Sequence, residues 1–187
     1  MEWIQGDHRA IRKAFETSIA GVVPKDQWTR RPEDQGNSIA WVIWHMARTE
    51  DVVIHAICRG QPQVLIRDEW ANRIGIDEFR QGTGFSDEEI AGFGSVDIDA
   101  VDSYWMAVRA ETEAWLEKLT PEELDESTPM ENATAVKDQI PNMPDMLIQF
   151  WGGRPVGFLL RFSVIWHHLQ HVGELQSIRG RLGYLGL

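Results

Sequence analysis

Four long segments of this 187-residue chain repeat their apolar residues with helical spacing, and no segment sustains an alternation of apolar and polar residues. Alternation at every second position is typical of a half-buried β-strand, whereas apolar residues three and four positions apart form one face of a helix. The pattern therefore predicts an all-α fold. The predicted helices run approximately from Trp3 to Ala20, Ser38 to Arg59, Asp99 to Leu119 and Pro155 to Arg181.

The connections between these helices are long. An irregular stretch is predicted from Gly60 to Gly84, although Asp68–Arg73 can form a turn of helix, and Pro121–Arg154 is rich in Pro, Asn and Asp. Ser86 is followed three residues later by glutamate, which is the spacing of a capping box and predicts a short extra helix. We therefore expect a four-helix bundle with long connections and short extra helices, built as a single domain over residues 1–187.

The last predicted helix carries His167 and His171 one turn apart. Side chains at such positions lie over one another, with Cβ atoms roughly 5–6 Å apart, so two imidazole nitrogens can bind one metal ion. At 100° per residue both histidines point into apolar surroundings, and so does His45 on the second helix. A third imidazole completes a set of three nitrogen ligands that leaves a coordination position open, as catalytic metal sites do.

Other histidines are predicted to face solvent. His168 shares a charged stripe with two arginines, and His55 shares a polar wedge with Asp51. Glu50 is likewise expected on a solvated helix face, whereas helical phase does not assign His8. The alternative interpretation treats the inward-facing histidines as core residues, each satisfied by a carbonyl or hydroxyl group. Few such partners lie nearby in sequence, and one shared metal would satisfy three buried imidazoles together.

Charge and cysteine content exclude several classes of function. The net charge of −11 argues against a nucleic-acid partner, because phosphate binding is driven by clustered lysine and arginine. No segment has the layout of a signal peptide or the roughly 20 apolar residues of a membrane span. The single cysteine, Cys58, excludes an intramolecular disulfide and is interpreted as a packing residue. We therefore expect a cytoplasmic protein without a membrane partner.

Two segments carry a family resemblance. Asn37–Asp51 contains a histidine followed by small and then acidic residues, and His167–Arg179 contains His-x-x-x-His-x-Gly followed by isoleucine and arginine. In these motifs the chain resembles the DinB/YfiT-like superfamily of metalloenzymes. That superfamily also contains the mycothiol-dependent maleylpyruvate isomerase and bacillithiol S-transferases.

The resemblance implies a four-helix bundle with a divalent metal in a cleft at one end, held by His45, His167 and His171. Zinc, nickel and iron all suit a histidine-rich site. Two positions depart from the family pattern: Gln170 stands where many members have a further histidine, and Glu174 where many have glutamine. Neither is a ligand position, so these departures bear on the substrate more than on the metal.

Three functions follow as hypotheses. The first is a thiol-dependent S-transferase or isomerase that acts on a small-molecule thiol and an electrophilic substrate. In this reading Glu174, or alternatively Glu50, orients a histidine, and Arg154 clamps an anionic group of the substrate, unless it is an ordinary surface arginine. The second is a metal-dependent hydrolase that uses the same site. The third is a non-catalytic ligand-binding or stress-associated bundle, because no acid/base pair accompanies the histidines.

The oligomeric state is suggested by the last helix, which is apolar on two sides. A helix of this kind is either buried within its bundle or contributes to an interface. We expect burial first and a homodimer as the alternative.

Overall fold

The computed structural model describes residues 2–185. Within that range the chain forms helices and connections, and its β-structure is limited to a bridge between Ser127 and Pro155. The predicted all-α fold class is confirmed. The α-helices are α1 (Glu2–Phe15), α2 (Ile39–Glu50), α3 (Val64–Arg67), α4 (Trp70–Ile74), α5 (Asp87–Ala91), α6 (Ile98–Leu116), α7 (Met130–Gln139), α8 (Asp145–Trp151), α9 (Val156–Leu159) and α10 (His167–Arg181). Short 3₁₀ turns lie at Lys25–Gln27, Pro32–Asp34, Gly92–Ser95 and Glu122–Leu124.

Wide π-helical turns lengthen three of these helices. Glu16–Ala20 continues α1, Asp51–Cys58 continues α2, and Leu160–Trp166 joins α9 to α10. Together with α6 they give the four long helices that the sequence predicts. The second helix begins where Ser38 caps it, with the Ser38 hydroxyl accepting a hydrogen bond of 3.1 Å from the backbone of Trp41.

The connections hold more helix than the sequence predicts. The stretch from Pro121 to Arg154, predicted as irregular, contains α7 and α8, and the stretch after Gly60 contains α3 and α4. Helix α7 packs on the π turns of the second helix and buries Ala133 and Val136. Two buried residues are too few to give a clear repeat, so tertiary packing rather than sequence pattern decides these helices. The predicted capping box at Ser86 is present and begins α5.

Helix α2 lies at the centre of the structure. Every residue from Ile39 to Glu50 is buried, and α2 packs against both α6 and α10. A helix that is covered all round must bury its polar residues together with its apolar ones. Its polar residues therefore need partners from neighbouring helices, and this requirement shapes the site.

The surface of the protein is relevant to two further expectations, which concern a membrane span and a homodimer. None of the helices in the described range is long and apolar enough to span a membrane. The last long helix exposes Trp166 and Leu169, each with about half of its surface accessible, at 51% and 48%. Exposed apolar side chains of this kind can contribute to an interface, so the homodimer remains a prediction.

Candidate metal centre

Three imidazole nitrogens converge at one point between α2 and α10. The Nε2 atom of His167 lies 3.0 Å from Nε2 of His45 and 3.1 Å from Nε2 of His171. Ligands at 2.0–2.1 Å around a tetrahedral ion lie roughly 3.3 Å apart, so the observed spacing is close to that of a metal site. The structure thus brings together the three histidines that helical phase selected, and their ligand atoms can hold one ion.

The outer nitrogens of two of these histidines have acceptors. Nδ1 of His45 faces the backbone carbonyl of Gln81, and Nδ1 of His171 lies 2.7 Å from a carboxylate oxygen of Glu174. Because both partners accept, each Nδ1 carries the proton and each Nε2 presents a lone pair. Nε2 of His167 carries at most one proton, so it can donate to Nε2 of His45 or to Nε2 of His171 but not to both. A cation at the centre satisfies all three nitrogens, which favours a metal over simple packing.

The site favours neutral imidazoles, the form in which histidine binds metal. Burial, with repulsion from His171, lowers the pKa of His45 to about 4. Burial and the neighbouring histidines also hold the pKa of His167 well below its usual range. Protons therefore compete weakly for these two nitrogens at neutral pH.

Glu174 lies where the sequence places a residue that orients a histidine. Besides His171 it contacts Asn37, whose side-chain amide donates to Glu174 over 2.6 Å. Burial alone would raise the pKa of Glu174, but the hydrogen bonds from His171 and Asn37 lower it, so the carboxylate stays charged. A carboxylate at this position makes His171 a stronger electron donor than a glutamine would.

Gly82 allows the connection before α5 to approach His45 closely. Its φ of +100° is disfavoured for other residues, and a Cβ there would lie 2.9 Å from the Trp41 ring and 3.2 Å from Nδ1 of His45. Trp41 in turn stacks on His45, with ring centroids 4.9 Å apart. The carbonyl of Gln81 reaches His45 because its neighbour has no side chain.

We expect Gly82→Ala to lower both stability and metal affinity. The added methyl group must displace Trp41 or His45 and strain the backbone, at a cost of about 1–3 kcal/mol. Gly84→Ala is the matched control, since Gly84 also has a positive φ (+81°) but nothing lies within 4 Å of its added Cβ. Thermal melts and metal titrations of both variants check this. Equal metal affinity in the two variants would contradict the role given to Gly82.

The structure corrects the prediction that His168 faces solvent. His168 is fully buried, and its Nε2 donates to the carbonyl of Met46 over 3.0 Å. The face that holds His168 also holds the core residues Val172 and Leu175, so it packs inward in spite of its charged members. The exposed Arg161 was grouped with it wrongly, because π turns separate the two and contain more residues per turn.

The predicted solvent exposure of His55 is wrong for a related reason. His55 and Asp51 are both fully buried, and Asp51 is bound by groups from elsewhere in the chain. Its carboxylate accepts from the backbone amides of Val64 and Leu65 at 2.8 and 2.9 Å, and from the Tyr104 hydroxyl at 2.7 Å. Asp51 and His55 therefore belong to a buried polar network, and the predicted polar wedge does not face solvent.

Glu50, predicted on a solvated face, is also fully buried. It lies 2.9 Å from His8 and 3.4 Å from Arg109, and His168 stands 3.5 Å away on its other side. Burial alone would raise the pKa of Glu50, but His8 and Arg109 hold it below its usual range. This cluster joins α1, α2, α6 and α10 next to the candidate metal centre, and it was missed by sequence reasoning.

Two other residues lie apart from the histidines in their contacts. Arg154 is exposed, donates to the carbonyl of Phe150 and covers the ring of Phe158. Its predicted contact with a substrate anion remains a prediction. Cys58 is partly buried and packs against the core, and desolvation raises the pKa of its thiol to about 12, so it is a packing residue and a poor nucleophile.

We expect the metal-free protein to lose stability as the pH falls from 7 to 5. Burial lowers the pKa values of His45 and His168 to about 4 and about 3, from an ordinary value near 6.5. Between these values the unfolded chain binds more protons than the folded one, so acid favours unfolding by about 2 kcal/mol per histidine at pH 5. Urea unfolding at pH 7, 6 and 5 in the presence of a chelator measures the loss. Constant stability over this range would contradict the burial of neutral imidazoles.

The chain is similar to known proteins in sequence and in fold. A family model described as the DinB superfamily matches residues 8–175. A conserved protein from Enterococcus faecalis with a known crystal structure has a similar fold, with a TM-score of 0.71 and 18% identity over 97% of this chain and 96% of that one. At this identity the likeness concerns the fold alone. No match is found among curated proteins.

Proposed function

Because this chain belongs to the DinB superfamily, we propose that it is a divalent-metal-dependent S-transferase or isomerase that uses a low-molecular-weight thiol. The observation that carries the proposal is the convergence of three histidine Nε2 atoms at 3.0 and 3.1 Å. His45, His167 and His171 would hold the ion. When bound, a divalent ion supplies Lewis-acid chemistry that favours the thiolate form of a coordinated thiol.

The residues around the histidines suit a nucleophile that reacts without a general base. The cavity beside His167 has hydroxyl groups from Thr49, Thr83 and Ser163 but is otherwise lined mainly by apolar side chains. Glu174 is already engaged by His171 and Asn37, which leaves it poorly placed as a general base. Hydrolysis calls for a group that moves the proton of water or of the leaving group. A thiolate attacks without such a base, and this difference favours the thiol reaction over hydrolysis.

In this proposal the thiol comes from outside the chain, because Cys58 is a partly buried packing residue with a raised pKa. In the transfer, sulfur forms a bond to the electrophilic carbon while the leaving group departs with its electron pair and the thiol proton passes to water. His45 and His171 remain neutral and fixed by Gln81 and Glu174 throughout. A free thiol cosubstrate fits the reducing cytoplasm that the cysteine content suggests.

The test uses one preparation of the protein for metal content, thiol binding and turnover. Elemental analysis is expected to give about one zinc, nickel or iron per chain. The cobalt-substituted protein, titrated with mycothiol, bacillithiol or glutathione, is expected to develop a sulfur-to-metal charge-transfer band. Transfer of one of these thiols to a panel of electrophiles completes the test.

Contrary outcomes separate the alternatives. Ester turnover without any effect of thiols favours a metal-dependent hydrolase. Protein that neither contains metal nor binds it in calorimetry favours a non-catalytic bundle. A metal-loaded protein that transfers no thiol to any electrophile contradicts the proposal.

A further inference from the structure

A pocket of about 190 Å³ lies directly against His167. Its walls come from α2, from α8 and from the π turns before α10, which the long connection brings together. This connection, residues 121–154, was predicted as an irregular loop, and in the structure its helix α8 supplies one side of the pocket. The lining residues include Thr49, Leu147, Phe150, Trp151, Phe162 and Ser163.

The walls of the pocket are aromatic and uncharged. Phe150, Trp151 and Phe162 supply three rings, and no Lys, Arg, Asp or Glu of the described chain is among the lining residues. The indole N–H of Trp151 is already used, because it donates to the Ser163 hydroxyl over 3.0 Å. A charged ligand body would lose its hydration here without gaining an opposite charge from the lining side chains. The walls therefore suit a neutral aromatic group.

Thr49 gives the pocket a polar group without a partner. The residue lies one turn after His45, is only 4% exposed, and its Oγ1 finds no hydrogen-bond partner in the described part of the chain. Buried hydroxyl groups are nearly always hydrogen-bonded, so an orphaned one that lines a pocket points to a ligand. A polar substituent on the ligand would satisfy it.

The pocket is large enough for an aromatic ring. Apolar cavities of about 150 Å³ hold benzene. A pocket of about 190 Å³ therefore has room for a six-membered ring with a small substituent. We infer that this pocket binds a neutral aromatic ring of the substrate, with a polar substituent of that ring hydrogen-bonded to Thr49. The inference rests on the proposed function for the reaction beside His167, but binding in the pocket is measurable without turnover.

The first test blocks the entrance of the pocket. Thr83 lines it from an exposed position, so Thr83→Phe places a ring at its mouth without disturbing the core. Calorimetry with benzyl alcohol on the metal-loaded protein is expected to show at least tenfold weaker binding in this variant. Thr134→Phe, an exposed substitution on α7 away from the pocket, is the matched control and should bind as the wild type does. Equal binding by wild type and Thr83→Phe would overturn the inference.

The second test removes the hydroxyl group. Thr49→Val keeps the side-chain shape and is expected to weaken benzyl alcohol binding about fivefold, the contribution of one neutral hydrogen bond, while toluene binding is unchanged. Thr112→Val is the control, because Thr112 is also buried and its hydroxyl has no hydrogen-bond partner among residues 2–185, but it lies on α6 outside the pocket. Equal binding of benzyl alcohol by wild type and Thr49→Val would contradict the hydrogen bond to Thr49.

Benzyl mercaptan separates this inference from the proposed function. If benzyl alcohol responds to Thr83→Phe as expected but benzyl mercaptan and the larger thiols give no charge-transfer band with cobalt, the pocket stands and the thiol chemistry fails. If the band appears in wild type and Thr83→Phe alike and benzyl alcohol ignores the substitution, the thiol chemistry stands and the pocket fails.

Discussion

Replacing His167 with alanine is expected to weaken metal binding by more than 100-fold. Its Nε2 is the central nitrogen, 3.0 Å from that of His45 and 3.1 Å from that of His171, so its loss removes one of three ligands and opens the site. Substituting a group that merely orients a ligand already costs about 10–100-fold in affinity. Competition with a chromophoric chelator measures the change, and His45→Ala and His171→Ala are expected to behave alike.

His168→Ala is the matched control for this experiment. His168 follows His167 in the chain and is fully buried. Its imidazole donates to the carbonyl of Met46 and contacts Glu50 instead of the converging nitrogens. We expect a loss of about 1–3 kcal/mol of stability from the broken buried contact, with one metal still bound per chain. The melting-temperature gain on adding metal should persist in His168→Ala and vanish in His167→Ala. Equal metal affinity in wild type and His167→Ala would overturn the site.

The second large effect is expected from Asp51→Ala. Asp51 is fully buried and contacts five groups: the backbone amides of Val64 and Leu65, the Tyr104 hydroxyl, the guanidinium of Arg48 at 3.1 Å and the imidazole of His55 at 3.1 Å. Its removal leaves a buried arginine without its counter-charge, which costs about 3–5 kcal/mol. The two backbone amides also lose their acceptor, so the substitution is expected to bring the protein close to unfolding. Urea unfolding with metal present checks the loss.

Asp99→Ala is the control for the charge change. Asp99 pairs with Lys25 on the surface, where its side chain is 81% exposed, and such pairs contribute about 0–1 kcal/mol. Asp51→Asn keeps the shape of the side chain and should recover part of the loss through its remaining acceptor oxygen. A loss below about 1 kcal/mol in Asp51→Ala would show that the network does not hold α3 against the second helix.

The extent to which the fold could be predicted depends on how each helix is stabilised. The four long helices bury a continuous apolar stripe, which a helical repeat records in the sequence. Helices α7 and α8 are short and begin after Pro129 and Pro144, so their sequence resembles a loop until the packing of α7 on the second helix and of α8 on α7 is known. Their positions depend on contacts that are distant in sequence.

The same distinction separates the histidines. His45, His167 and His171 are placed correctly because apolar neighbours on their own helices mark the inward direction. The partners of His168 lie on α2, and the groups that bind Asp51 beside His55 lie on α3 and α6, so phase within one helix could not show that these polar residues are buried. A signal was nevertheless present: the second helix is apolar on nearly every side, and such a helix must bury Glu50 and Asp51 as well.

The candidate ligands come from points far apart in the chain, and this has a consequence for how long the folded protein lasts. An ion held by His45 and His167 ties together residues separated by 122 positions, so it acts as a removable crosslink around most of the molecule. Closing so long a loop restricts the unfolded chain strongly, by about 4–5 kcal/mol if the ion stays attached on unfolding, as in the disulfide case. Metal supply would then set the resistance of this protein to proteolysis. A cell that withdraws the metal would shorten the lifetime of the protein.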